Sequence, residues 1–183
     1  MHTEKVDAQD LLGATALLGA GLSEQLSATG RYDVKCLDAD GNLKWEDSIE
    51  NLVVTVGKAN LLNVYLASGT QTTTWYLGLV DGASTPTYVV GDTMSSHAGW
   101  TESVAYSNAT RPTGVFTTTA TSSISTSATT FTINATATIA GAFLVTNSTK
   151  SGTTGTLYSA GSFAASRAVI SGDSLLVTYT ASV

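Results

Sequence analysis

The sequence predicts a mainly β protein: an antiparallel β-sandwich or jelly-roll-like domain with one or two short helices and an N-terminal arm. Three observations predict it. Only 12% of the 183 residues are charged although 43% are hydrophobic, and Thr, Ser, Ala and Gly replace the missing charge. Threonine, with its branched Cβ, fits a pleated surface. Short apolar–polar alternations recur along the chain, the period of strands with one buried face. Gly-rich turn signals separate these runs at the close spacing of sandwiches and barrels. A chain of this length can bury a core large enough to fold without metal or disulfide.

Taken in order, residues 1–30 form an N-terminal arm or short helix. The run "LLGATALLGAGL" carries Leu11, Leu12, Leu17, Leu18 and Leu22, too many apolar side chains for a free tail, while Gly13, Gly19 and Gly21 weaken a helix. These leucines are read as contact residues, packing on the domain's own core or docking on another subunit. The acidic flank of Glu4, Asp7 and Asp10 is wrong for a signal peptide. The run is also shorter than the ~20 residues of a membrane span, so no membrane partner is expected.

Residues 31–183 form the β-rich domain, with a mixed part over 31–110 and Thr-rich strands over 111–183. "RYDVKCL" alternates over Tyr32, Val34 and Cys36. "DADGN" follows as a hairpin turn with Gly41 at positive φ, and "LKWED" returns as the partner strand. "NLVVTV" reads as a third strand. In "KANLLNVYLASG", Leu61, Leu62, Tyr65 and Leu66 share one face of a helix that Gly69 stops. "TTTWYLGLVDG" is a near-continuous, central strand. "ASTPTYVVG" is a loop with a short extended piece. From Thr113 to Val183 only Lys150, Arg167 and Asp173 are charged. Six strands are expected there: "GVFTTTATSS", "TTFTINATAT", "AGAFLVTNS", "TLYSAGSF", "RAVIS" and "SLLVTYTAS".

Several function classes are weighed against these residues. A net charge of −6 with eight scattered basic residues argues against nucleic-acid binding, which needs clustered Lys and Arg. The single cysteine, Cys36, reads as a small buried apolar residue. The calcium-like "DADGN" puts Leu43 where a turn glycine belongs and Ile49 where the closing carboxylate belongs. "NAT" at Asn108 and Asn134 and "NST" at Asn147 are chance sequons in a Thr-rich chain.

"GDTMSSHAGWTE" is the densest chemically able stretch. Adjacent Ser95, Ser96 and His97 point apart and do not build a triad with Asp92. His97 and Glu102 are too few for a metal site. Asp92 and Glu102 alone are a weak glycosidase signal. A structural role accounts for more of the residues. Asp92 caps a helical turn over Thr93–Ala98, Gly99 supplies a left-handed exit, Trp100 anchors in the core, His97 meets a carbonyl or an aromatic ring, and Glu102 pairs with Arg111. No catalytic, cofactor-binding or metal-binding residue is assigned, and no enzymatic activity is expected.

"GRYDVKCLDADGNLKWEDSIENLVVTVGKANLLNVYL", "WYLGLVDG", "GDTMSSHAGWTE" and the Thr-rich tail ending "SGTTGTLYSAGSF…SGDSLLVTYT" together resemble small virion structural proteins of tailed bacteriophages, some of which are capsid cement (decoration) proteins. The resemblance spans residues 30–183. It implies a β-rich protein on the capsid exterior, partnered by the major capsid protein, homo-oligomeric as a trimer at symmetry axes, and without cofactor. The leucines of the arm then become capsid or subunit contacts. The competing reading is a tail or fibre component that binds a host receptor or glycan through exposed aromatics such as Tyr106 and Tyr158.

Overall fold

The computed structural model describes residues 27–117 and 121–183. Leu11, Leu12, Leu17, Leu18 and Leu22 lie outside the described residues, so the arm expected over 1–30 is described only from residue 27.

Strands β1 (Thr29–Leu37) and β2 (Leu43–Glu50) form the predicted hairpin. Its turn is held by Asp38, whose Oδ1 accepts from the backbone N–H of Asp40 (3.0 Å) and Asn42 (2.8 Å). Gly41 takes φ +85°, where a Cβ is disfavoured. The Asn42 backbone bond, joined by that residue's side-chain amide, holds the Asp38 carboxyl below the usual carboxylate range. Tyr32, Val34 and Cys36 face the core as their alternation requires.

The run 51–56 departs from expectation. Strand β3 covers only Leu52–Val53, and α1 spans Thr55–Leu66. Tertiary contacts override the β-branched run. Val54 N–H bonds the Tyr158 carbonyl (3.1 Å), and Thr55 N–H bonds the Val90 carbonyl (2.8 Å), occupying a donor that a helix N-terminus leaves free. Gly57 then lets α1 lie directly on the neighbouring strand, since a Cβ there would stand 2.4 Å from the Tyr158 carbonyl oxygen. At the other end the left-handed residue is Ser68 (φ +57°), one before the predicted glycine stop. Gly69 N–H closes back on the Asn63 carbonyl at 2.8 Å.

Strand β4 (Trp75–Asp81) is near-continuously buried and has strands on both sides, as expected. Next come β5 (Glu102–Ser103), β6 (Thr113–Gly114), β7 (Ser123–Ser125) and β8 (Thr129–Thr132). Of the expected strand 114–123, only Gly114 and Ser123 lie in strands among the described residues. β6 pairs with β4 in one sheet and β7 with β11 in the other, so the chain changes sheets between them. Strand β9 (Ala137–Val145) takes Ala137 and Thr138 from the end of the run assigned to its predecessor. Strand β10 (Leu157–Val169) fuses two expected strands. Ser162 faces Gly141 and Arg167 faces Ile139, so the residues between them bulge out. Strand β11 is Ser174–Ser182, as predicted.

The strands form two antiparallel sheets packed as a sandwich. One runs β2-β1-β11-β7 with β8 also on β11; the other runs β3-β10-β9-β4-β5 with β6 also on β4. Each sheet contains strands from both the mixed and the Thr-rich part, so neither part has a core of its own. Between the sheets Tyr32 packs on Tyr179 (ring centroids 4.6 Å), and its hydroxyl lies 2.6 Å from Ser159 Oγ.

Burial raises the hydroxyl pKa of Tyr32, Tyr88, Tyr106, Tyr158 and Tyr179, that of Tyr88 to about 12. The folded protein thus keeps protons that the unfolded chain releases near pH ~10. This contribution to stability is complete below pH ~10 and is lost as pH climbs through the folded values. In an alkaline titration, tyrosinate absorbance from these five residues is expected to rise together with loss of β circular dichroism. Their ionisation in a chain that stays folded would refute the packing described.

Candidate functional site

The 91–102 loop was the leading chemical candidate, and the structure ties Asp92, His97, Trp100 and Glu102 into the scaffold. It is not a helical turn. Thr93 and Ser96 bond each other's backbone in a tight turn (3.0 and 3.2 Å), and a second turn brings Trp100 N–H to the His97 carbonyl. Asp92 caps no helix. Its Oδ2 accepts from Val89 N–H (3.2 Å) and Trp100 Nε1–H (3.1 Å). Gly99 is not left-handed; it is needed for room, because a Cβ would lie 2.3 Å from the Thr87 carbonyl oxygen. Trp100 is buried as expected. His97 does both things foreseen: Nδ1–H donates to the Trp100 carbonyl (3.0 Å) and the ring stacks on the indole at 4.0 Å. Ser95 Oγ pairs with Thr93 Oγ1 (3.1 Å).

Glu102 and Arg111 pair as predicted, in a bidentate bridge of 2.9 and 2.8 Å with both side chains at 5% exposure or less. Arg111 also donates to the carbonyls of Asn147 (3.0 Å) and Gly152 (3.1 Å). Glu102 also accepts from Ser151 N–H (2.6 Å). This ion pair therefore holds down the 147–152 loop. The three charged residues beyond Thr113 all reach across to the mixed part. Lys150 donates to the carbonyls of Tyr106 and Asn108, Arg167 pairs with Asp47, and Asp173 pairs with Lys44 at 2.6 Å. Burial, then the neighbouring Asp173 carboxylate, pushes the Cys36 thiol up to about 11, which makes it a poor nucleophile. Among the described residues no group of three or more His, Cys, Asp or Glu side chains is placed to hold a metal.

The aromatics proposed for glycan contact are not exposed. Tyr106 is 1% and Tyr158 8% accessible. Tyr106 packs edge-on against Phe131 and lies under the Lys150 ammonium. Tyr158 packs against Trp75.

The most exposed apolar side chains lie instead on α1. The helix seats itself through Gly57 and the half-buried Val56, Asn60 and Val64, residues one turn apart. That stripe turns the predicted apolar face outward. Leu62 is half exposed, Leu66 is 75% and Tyr65 86% exposed. The apolar face was legible in the sequence, but its direction was not. Gly57, the one position where a helix backbone can touch a strand, was the available signal. Beside α1 the two sheets part around a cavity of about 640 Å³. Its walls include Leu61, Val64, Trp75, Val115, Phe116 and Ile124, and no charged side chain lines it among the described residues.

No family model, curated protein or solved structure matches this chain.

Proposed function

We propose that the protein is a structural virion component of a tailed phage, a cement protein that binds the outer capsid surface and stabilises the head. The observation that carries this reading is the outward apolar ridge of Leu62, Tyr65 and Leu66 on α1. An aromatic and leucines held rigid and exposed together form the kind of patch that marks protein–protein contact. The sequence resemblance described above supplies the partner, the major capsid protein. The 91–102 loop supports the reading too, since its Asp92, His97 and Glu102 side chains are engaged in holding the fold. A homotrimer at symmetry axes multiplies a modest ridge contact into high avidity.

The test is cosedimentation with capsids that lack the protein, alongside light scattering of the protein alone. The full chain is expected to be trimeric and to bind. Tyr65→Ser/Leu66→Ser is expected to fold normally, because neither side chain is buried, and to bind at least about tenfold more weakly, the loss of one anchoring contact. Equal binding by the variant would remove the ridge as the contact. A wild-type chain that ignores capsids would remove the cement function itself.

A further inference from the structure

The cavity beside α1 is a large, mainly apolar space that the described residues leave open. It lies between the sheets, with Trp75 and Tyr158 on one side and Tyr179 and Ala181 on the other. Strand β1 enters the sandwich at this same end. Thr29 pairs with Ser182 and Gly30 with Ala181, and Ala181 is part of the cavity wall. Ala28 already packs against the core there. The described chain thus begins beside the cavity wall.

We propose that residues 11–22 of this same chain dock in the cavity, with Leu17, Leu18 and Leu22 as the anchors that close the end of the sandwich. Reach permits it: Leu22 stands five residues before Ser27, and an extended chain covers ~17 Å in that distance. Chemistry matches. Residues 11–23 carry no charge and are bounded by Asp10 and Glu24, and the cavity wall is uncharged among the described residues as well. Volume matches: a dry pocket of ~150 Å³ accepts one benzene-sized group, so 640 Å³ takes several leucine side chains. A tether this short gives the segment an effective concentration of order mM, which favours it over a free competitor. The anchoring end of the segment is then internal to the domain, while the outer ridge of α1 stays uncovered. This inference does not rest on the capsid reading.

The test uses the full isotope-labelled chain with a spin label at Ala14→Cys. Cys36 is buried and its thiol protonated, so the added thiol takes the label. Amide signals of residues 72–75, 113–116 and 181 are expected to broaden and to stay broadened on dilution with unlabelled, spin-free chain. Broadening elsewhere, or none, overturns the proposal. Broadening that appears when isotope-labelled, spin-free chain is mixed with spin-labelled chain assigns the cavity to a second copy and also overturns it. Leu17→Asp/Leu18→Asp in the full chain is the second check. It alters no residue of the described fold, and it is expected to shift the same amides and leave Trp75 several-fold more open to a collisional quencher. Unchanged amides and quenching would refute the docking.

Discussion

Arg111→Met is expected to lower the unfolding free energy by about 3–5 kcal/mol, the usual cost of breaking a buried ion pair by removing one partner. The guanidinium is fully enclosed against a Glu102 carboxylate at 5% exposure. Deleting it strands that carboxylate with the Ser151 N–H and a long 3.4 Å bond from the Tyr106 hydroxyl. It also frees the Asn147 and Gly152 carbonyls, which now accept from Arg111. Methionine keeps much of the apolar stem that packs near Phe143, whose ring centroid is 5.2 Å from the guanidinium carbon. Urea denaturation measures the loss. The double variant Arg111→Met/Glu102→Leu is expected to recover part of it, because no buried charge is then left alone. A single variant as stable as the parent would mean that the pair is hydrated in solution.

Gly141→Val is expected to cost about 3 kcal/mol or more, at or above the upper end of overpacking effects. A Cβ at Gly141 would lie 1.9 Å from the Gly161 carbonyl oxygen and 2.8 Å from Ser162 Cα. Both are backbone atoms of the strand that Gly141 pairs with, so no rotamer change relieves the clash. In a protein of this size 1 kcal/mol moves Tm by roughly 2–4 °C, so calorimetry should register a fall of about 6–12 °C. Gly91→Ala is the control. Nothing stands within 4 Å of its Cβ position and its φ is not left-handed, so its effect should stay within about 0.5 kcal/mol. A similar Tm for both variants would refute the close approach of β9 and β10.

What could be read from the sequence was what local chemistry decides. The Asp38–Gly41 hairpin, the inward set Tyr32, Val34 and Cys36, and the limits of β11 all follow from turn residues and period-two alternation. Errors arose where a distant segment decided the outcome. Val54–Val56 has strand propensity, yet the Tyr158 and Val90 carbonyls recruit its neighbourhood into a helix start. Residues 156–163 and 167–171 look separate because a bulge interrupts the alternation, although one strand, Leu157–Val169, joins them. At the 91–102 loop the residue roles were partly legible. The Glu102–Arg111 pair and the Trp100 anchor were read correctly, while the Asp92 cap and the Gly99 exit were not. Both depend on Val89 and Thr87 lying alongside, and no local pattern reports that. The outward turn of α1 was hidden for the same reason, since the strand beneath the helix fixes which stripe is buried.

The position of β11 at the centre of its sheet, between β1 on one side and β7 and β8 on the other, governs how the chain reaches its fold. The pairing of Thr29 with Ser182 closes a loop over most of the polypeptide, and contacts so distant in sequence make folding slow. During synthesis the hairpin of β1 and β2 forms early by local closure. The flank of β1 that β11 will cover stays an open edge until residues 174–182 have emerged. An unpaired edge beside an apolar face is a template for wrong pairing. Nascent and truncated chains are therefore the aggregation-prone species of this protein, more than any late unfolding of the finished sandwich.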